Sequence, residues 1–204
     1  SDAELNCRFL DYRLKRGAAA SEIMPEVTKL WVVGKSQPKA CDKLFARWKK
    51  SGLMTKELVW ERVSLAADGG KHTLIPYLTK LLPSKEQYLA KLWHKVRRDP
   101  AYITRLSRFP NKNSKEAQIY TYGIKRLIWR DRDRAISAYQ KAEKQFNFSY
   151  EQQQEIAQKF ALALASKGHK KSEQWLAKVE GNYLTSDLVQ WQIADVLRSQ
   201  NWHN

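Results

Sequence analysis

The sequence predicts an all-α fold: an irregular α-solenoid, or superhelix, of antiparallel helical hairpins that stack in the tetratricopeptide manner. Three observations lead there. Apolar residues recur at helical spacing along nearly the whole chain, and no stretch of strand length alternates apolar with polar residues. Eight Gly and six Pro in 204 residues leave little material for the many tight turns of a sandwich or barrel. Helix start and stop signals follow one another too closely for long crossovers, so consecutive helices pair and each pair buries its second face on the next. About eleven helices are expected, of unequal length and without a strict sequence period.

The first helix carries Ala3, Cys7, Leu10 and Leu14 along one stripe, with Leu5, Phe9 and Tyr12 beside it, and stops near Gly17. Ser21 offers an N-cap oxygen to the second, Pro25 falls in its first turn, and Ile23, Val27, Leu30 and Trp31 line one face up to Gly34. After a turn at Gly34 to Pro38, Cys41, Leu44, Phe45 and Trp48 mark a third helix ending at Ser51-Gly52. Thr55 opens a helix with Val59, Val63 and Ala66 inward, terminated by Asp68-Gly69-Gly70, and a shorter one from His72 to Leu82 turns Leu74, Ile75 and Leu78 inward. Ser84-Lys-Glu-Gln87 reads as a capping box ahead of Tyr88, Leu89, Leu92, Trp93 and Val96.

Residues 101 to 113 are the least regular: one short helix around Tyr102 to Ser107, a turn at Pro110-Asn111, and the place for a hinge, near 100–114. Beyond it, Ala117, Tyr120, Ile124, Leu127 and Ile128 define a helix, and Asp131 suits the positive end of the next, whose buried face carries Ala135, Ala138, Tyr139, Ala142 and Phe146. A second capping box, Ser149-Tyr-Glu-Gln152, begins a long helix through Ile156, Phe160, Ala163 and Leu164 to Gly168. Trp175, Leu176 and Val179 follow, and then a last helix capped at Thr185-Ser186-Asp187 with Leu188, Val189, Ile193, Val196 and Leu197 inward.

Eight Trp, nine Tyr and six Phe supply the apolar area of a folded chain. Thirty-seven Lys and Arg against 21 Asp and Glu give a net charge of +16. Such a charge attracts nucleic acid, a membrane surface or a carboxylate-rich polymer, or it merely solvates the surface. No apolar run approaches the ~20 residues of a membrane span. The start, Ser-Asp-Ala-Glu-Leu-Asn, lacks the basic and apolar blocks of a signal peptide, so an exported protein would already have lost its leader. The abrupt start and finish fit a piece excised from a longer protein.

Cys7 and Cys41 are the only cysteines. Taken by themselves the residues leave two readings open, a bridge across 34 residues or two buried thiols acting as small apolar side chains. The run Gly34-Lys-Ser-Gln-Pro-Lys-Ala-Cys-Asp-Lys-Leu-Phe45, preceded by Leu30-Trp31 and by Cys7, resembles the superhelical region of the soluble lytic murein transglycosylases of Gram-negative bacteria. The residue-level likeness extends to about Leu65; beyond it only the helix pattern matches. The resemblance implies a Cys7–Cys41 disulfide and an oxidising, periplasmic location. It also implies that residues 1–204 form one superhelical domain of a larger enzyme that cleaves the MurNAc-GlcNAc bond of peptidoglycan to 1,6-anhydro products.

In that family the catalytic acid is the Glu of a Glu-Ser pair, with Gly-Leu-Met-Gln downstream in a lysozyme-like domain. Here no Glu-Ser occurs, and Gly52-Leu53-Met54 is followed by Thr55 in a helix connection, so the chain is expected to lack catalysis of its own. His72, His94, His169 and His203 are scattered as surface residues, without metal-ligand spacing, and no Gly-rich phosphate loop appears; no cofactor or metal is expected. Trp31, Trp48, Trp93 and Trp129 are candidates for sugar stacking, although helical spacing assigns each to the core. The expected partners are peptidoglycan strands and the catalytic domain of the same parent chain, with neither nucleic acid nor a membrane span. Candidate murein contacts are Arg13, Lys15, Arg16, Lys49, Lys50, Arg97, Arg98, Lys125, Arg126 and Arg130, basic residues near helix ends that would meet stem-peptide carboxylates. The alternative is a basic helical-repeat module that binds nucleic acid in a reducing compartment, or a protein partner.

Overall fold

The structure, a computed structural model, describes residues 2–201; the side chains of 192 and 195–201 lie outside the described residues, as do the expected inward positions Val196 and Leu197 and His203. Every regular element among the described residues is helical. The chain divides into two compact units, Ser1–Arg97 and Arg98–Asn204.

The first unit contains α1 (Asp2–Lys15), α2 (Ala20–Trp31), α3 (Asp42–Lys50), α4 (Lys56–Ala67), α5 (Ile75–Thr79) and α6 (Gln87–Arg98). α1 packs on α2 and on the 3-10 turn Lys39–Cys41 that leads into α3, while α4 packs on α5 and the turn before it. The core of this unit is rich in tryptophan: Trp31 and Trp48 lie 5.1 Å apart between ring centres, as do Trp60 and Trp93. Trp48 is held further by its indole N–H, which donates to the Thr28 hydroxyl at 2.9 Å.

Two expected starts are placed differently. α2 begins at Ala20, after Ala19 in extended backbone with no side-chain cap, so Pro25 sits inside the helix and Ser21 is exposed in its first turn. Ser84–Glu86 form a 3-10 turn instead of a capping box. There the Pro83 carbonyl accepts from the Glu86 and Gln87 amides, which removes the donor that the Ser84 hydroxyl would have capped, and the Gln87 side chain donates to the Leu82 carbonyl. His72 to Leu82 is a 3-10 turn and the five-residue α5, with Leu74 only half-buried. Thr55 does cap α4, accepting from the Leu58 amide.

The second unit contains two 3-10 turns, Pro100–Thr104 and Leu106–Arg108, where one short α-helix was expected. They are followed by α7 (Ser114–Arg130), α8 (Arg132–Ala142), α9 (Tyr150–Ala165), α10 (Ser172–Leu176) and α11 (Ser186–Asn201). α7 is the hub, with α8, α9 and Pro100–Thr104 packed on it. Ala135, Ala138 and Ala142 of α8 are buried, as their spacing predicts. Under these helices Phe109, Tyr120, Tyr139, Phe146, Phe148, Phe160 and Trp175 form one aromatic network, with neighbouring ring centres 4.5 to 5.8 Å apart.

The irregular run before α7 is closed by Glu116. Its buried carboxylate accepts from the Asn111 and Lys112 amides, and the Asn113 side chain caps the Glu116 amide. Lys112 takes a positive φ of 50° there, and its ammonium donates to the Leu106 and Phe109 carbonyls. At α9 the capping box Ser149–Gln152 is complete in both directions. In α11 Leu188 is buried, but Val189 and Ile193 are exposed, contrary to their expected inward position.

Candidate functional site

The run 34–45 is built as a structural junction. Gly34 and Gly70 meet against α4 so closely that a Cβ on either would overlap the Leu65 carbonyl oxygen, and the Gly34 carbonyl accepts from the Lys71 amide at 2.7 Å. Arg62 reaches up from α4, only 5% exposed, and donates to the carbonyls of Val33 and Lys35 at 3.1 and 3.2 Å. Its guanidinium lies 4.5 Å from the centre of the Trp31 ring, and burial lowers its pKa. Two carbonyls and an indole face thus offset part of the cost of burying the cation. Gln37 donates to the Leu30 carbonyl, and Cys41 is joined to Cys7 by a disulfide with Cα atoms 5.1 Å apart. Sequence spacing located the turn at Gly34, but neither Arg62 nor Gly70 carried a local signal of this role.

The basic residues divide by how much of their charge is already answered. Arg13 pairs with Glu22, Lys15 with Asp11 and Lys125 with Glu155, while Lys49 donates to the Tyr77 hydroxyl. Arg126 lies on the ring of Tyr122, 5.2 Å from its centre, and Arg97 is half-buried with its Nε unpartnered. Arg16, Lys50, Arg98 and Arg130 are exposed. No group of three His, Cys, Asp or Glu able to hold a metal exists among the described residues. No helix of the described residues is long and apolar enough to cross a membrane.

Histidines and one tryptophan depart from expectation. His72 and His94 are half-buried and face each other, with Nδ1 and Nε2 3.4 Å apart, and His169 is half-buried beside Asp133 at 3.3 Å. Both pairings form between residues 22 to 36 positions apart in the chain, which local sequence does not disclose. Trp31, Trp48 and Trp93 are core residues as their spacing predicts, but Trp129 is 47% exposed. It falls off the inward stripe of α7 (Ala117, Tyr120, Ile124, Leu127, Ile128) and onto the opposite series Gln118, Tyr122, Lys125, Arg126 and Trp129. That second face spans about 16 Å of helix at 1.5 Å per residue.

No family model matches the chain. The soluble lytic murein transglycosylase of Escherichia coli K12 is 24% identical over 198 residues, 97% of this chain and 28% of that protein. The corresponding enzyme of Salmonella typhimurium is 35% identical over 98 residues, 48% of this chain and 15% of its own length. The solved structure of the lytic transglycosylase Slt of Pseudomonas aeruginosa, an inactive mutant, superposes with a TM-score of 0.81 at 29% identity, covering 98% of this chain and 32% of that one. Its homologues are soluble lytic murein transglycosylases. The chain spans about a third or less of these transglycosylases, and the match agrees with their helical superhelix region.

Proposed function

We propose that this chain is the non-catalytic superhelical domain of a periplasmic soluble lytic murein transglycosylase, supporting the catalytic domain of the same parent chain and guiding anionic murein strands towards it. The parent enzyme would cleave the MurNAc-GlcNAc bond of peptidoglycan and leave 1,6-anhydro products. One observation carries the reading: a likeness covering 97% of this chain but only 28% of the transglycosylase it matches. The Cys7–Cys41 disulfide supports an oxidising compartment. The net charge of +16 suits a polymer whose stem peptides bear carboxylates. Arg16, Lys50, Arg98 and Arg130 are the first candidates to meet those carboxylates, because they are exposed; Arg13, Lys15, Lys49, Arg97, Lys125 and Arg126 would have to exchange or extend present contacts.

Two measurements test the proposal. The purified chain should sediment with murein sacculi at low salt and be released as salt rises, and it should leave no cleared zone in a murein zymogram. Murein cleavage by the chain alone would overturn the division of labour, and failure to sediment at low salt would overturn the guiding role.

A further inference from the structure

The α7 face from Gln118 to Trp129 has the composition of a saccharide contact. Trp129, half of it in solvent on the last turn of a 17-residue helix, offers a broad apolar ring with an N–H at its edge. Such a surface matches the C–H face of a hexose ring. One turn earlier the half-buried Arg126 lies on the ring of the buried Tyr122, and a guanidinium edge can donate two parallel hydrogen bonds to a carboxylate. Arg130, next in sequence to Trp129 on the rim of this series, is exposed. Neither arginine forms an ion pair among the described residues.

Three carboxylates of this unit keep their charge but already have hydrogen-bonding partners. The Asp131 carboxylate accepts from the Arg134 amide as the cap of α8, Asp133 meets His169, and Glu155 of α9 is bound by Lys125. The helix end presents an aromatic ring and two cations, and what complements it is a sugar ring bearing a peptide whose carboxylates can reach the arginines.

We infer that this face of α7 is a murein contact, in which Trp129 stacks on a sugar ring and Arg126 and Arg130 receive carboxylates of the attached peptide. The inference rests on the murein-guiding role above and gives it a place and a chemistry. Trp129 contributes a part of the affinity that salt leaves intact, and the arginines a part that salt removes. The rest of the charged surface acts at longer range, through attraction without geometry.

The test is sedimentation with murein sacculi at low and high salt, using the wild-type chain, W129A, R130Q, the double variant R126Q/R130Q, and K144Q, an exposed lysine outside the candidate contacts, as a charge-matched control for R130Q. A parallel arm uses sacculi whose carboxylates have been amidated. Trp129→Ala should weaken retention about tenfold at every salt concentration, with the helical circular dichroism unchanged. R126Q/R130Q should weaken it at low salt only and should lose less retention than the wild type when the sacculi are amidated, whereas K144Q should change retention less than twofold. Wild-type retention by both W129A and R126Q/R130Q, while the parent chain still sediments, would overturn this contact and leave the guiding role standing. A wild-type chain that does not sediment would remove both. Arg130 is exposed, so R130Q equal to K144Q would likewise count against the assignment.

Discussion

The two units hold their helices together by different means. In the first, the helices are at most 14 residues long, and the junction between them is fixed by a disulfide, a buried arginine and two glycines that admit no side chain. In the second, helices of 16 and 17 residues lie over a network of rings, and no sulfur link is present. The difference follows from area. Short helices bury too little apolar surface to be held by packing alone, so covalent and polar ties carry more of the load; long helices with phenylalanine and tyrosine beneath them do not need those ties.

The disulfide is the strongest place to break the contrast. Replacing both cysteines by alanine closes no loop across the 34 residues and should cost about 4 kcal/mol in the chain-entropy account. Hydrogen exchange should accelerate in α1 to α3 and hardly change in α7 to α9; equal acceleration in both would mean that the units do not depend on separate ties. Gly34→Ala comes next, at about 3 kcal/mol, because the new methyl meets the backbone of Leu65 and not a flexible side chain. Thermal unfolding would measure it, and a loss below about 1 kcal/mol would show that the junction can open without strain.

Arg62→Met keeps the apolar stem of the side chain but withdraws the donors to Val33 and Lys35, and should cost about 2 kcal/mol in urea unfolding. The smallest effect has the opposite sign. Tyr120 is buried with its hydroxyl unpartnered, so Tyr120→Phe should raise stability by up to about 1 kcal/mol at neutral pH.

That substitution also has a signature in alkali. Burial pushes the Tyr120 hydroxyl well above its ordinary pKa, and that of Tyr139 up to about 12. A tyrosine that ionises near 10 when unfolded and much higher when folded stabilises the fold fully below pH 10, and that contribution drains away as the pH climbs towards the folded value. The wild-type chain should therefore lose stability above pH 10, and Y120F should lose it about 1.4 kcal/mol per pH unit less steeply between pH 11 and 12. Identical slopes would place the titration elsewhere.

How much of this could be read beforehand depended on range along the chain. Helical spacing located the inward residues of α3, α7, α8 and α9 and the helix start at Thr55, and the capping box at Ser149 was visible because donor and acceptor lie three residues apart. The Ser84 box failed on an equally local competitor, the Pro83 carbonyl. Trp129 was misassigned although the signal was available, since it sits off the stripe of Ile124, Leu127 and Ile128. Arg62, Gly70 and the His72–His94 pair were out of reach, because the groups that give them their roles lie 22 to 36 residues away, the glycine's being the Gly34 carbonyl whose approach leaves no room for a Cβ. The Cys7–Cys41 bridge was open on the residues alone and implied only by family likeness.

The crossing at Gly34 and Gly70 also bears on what the run 34–45 signifies when it turns up in another protein. Two loops touch there with only hydrogen atoms between them, and even a methyl group would force them apart. The spelling of that run is therefore dictated by how the chain must pass over itself, and encountering it elsewhere forecasts a shared path of the backbone before it says anything about shared chemistry.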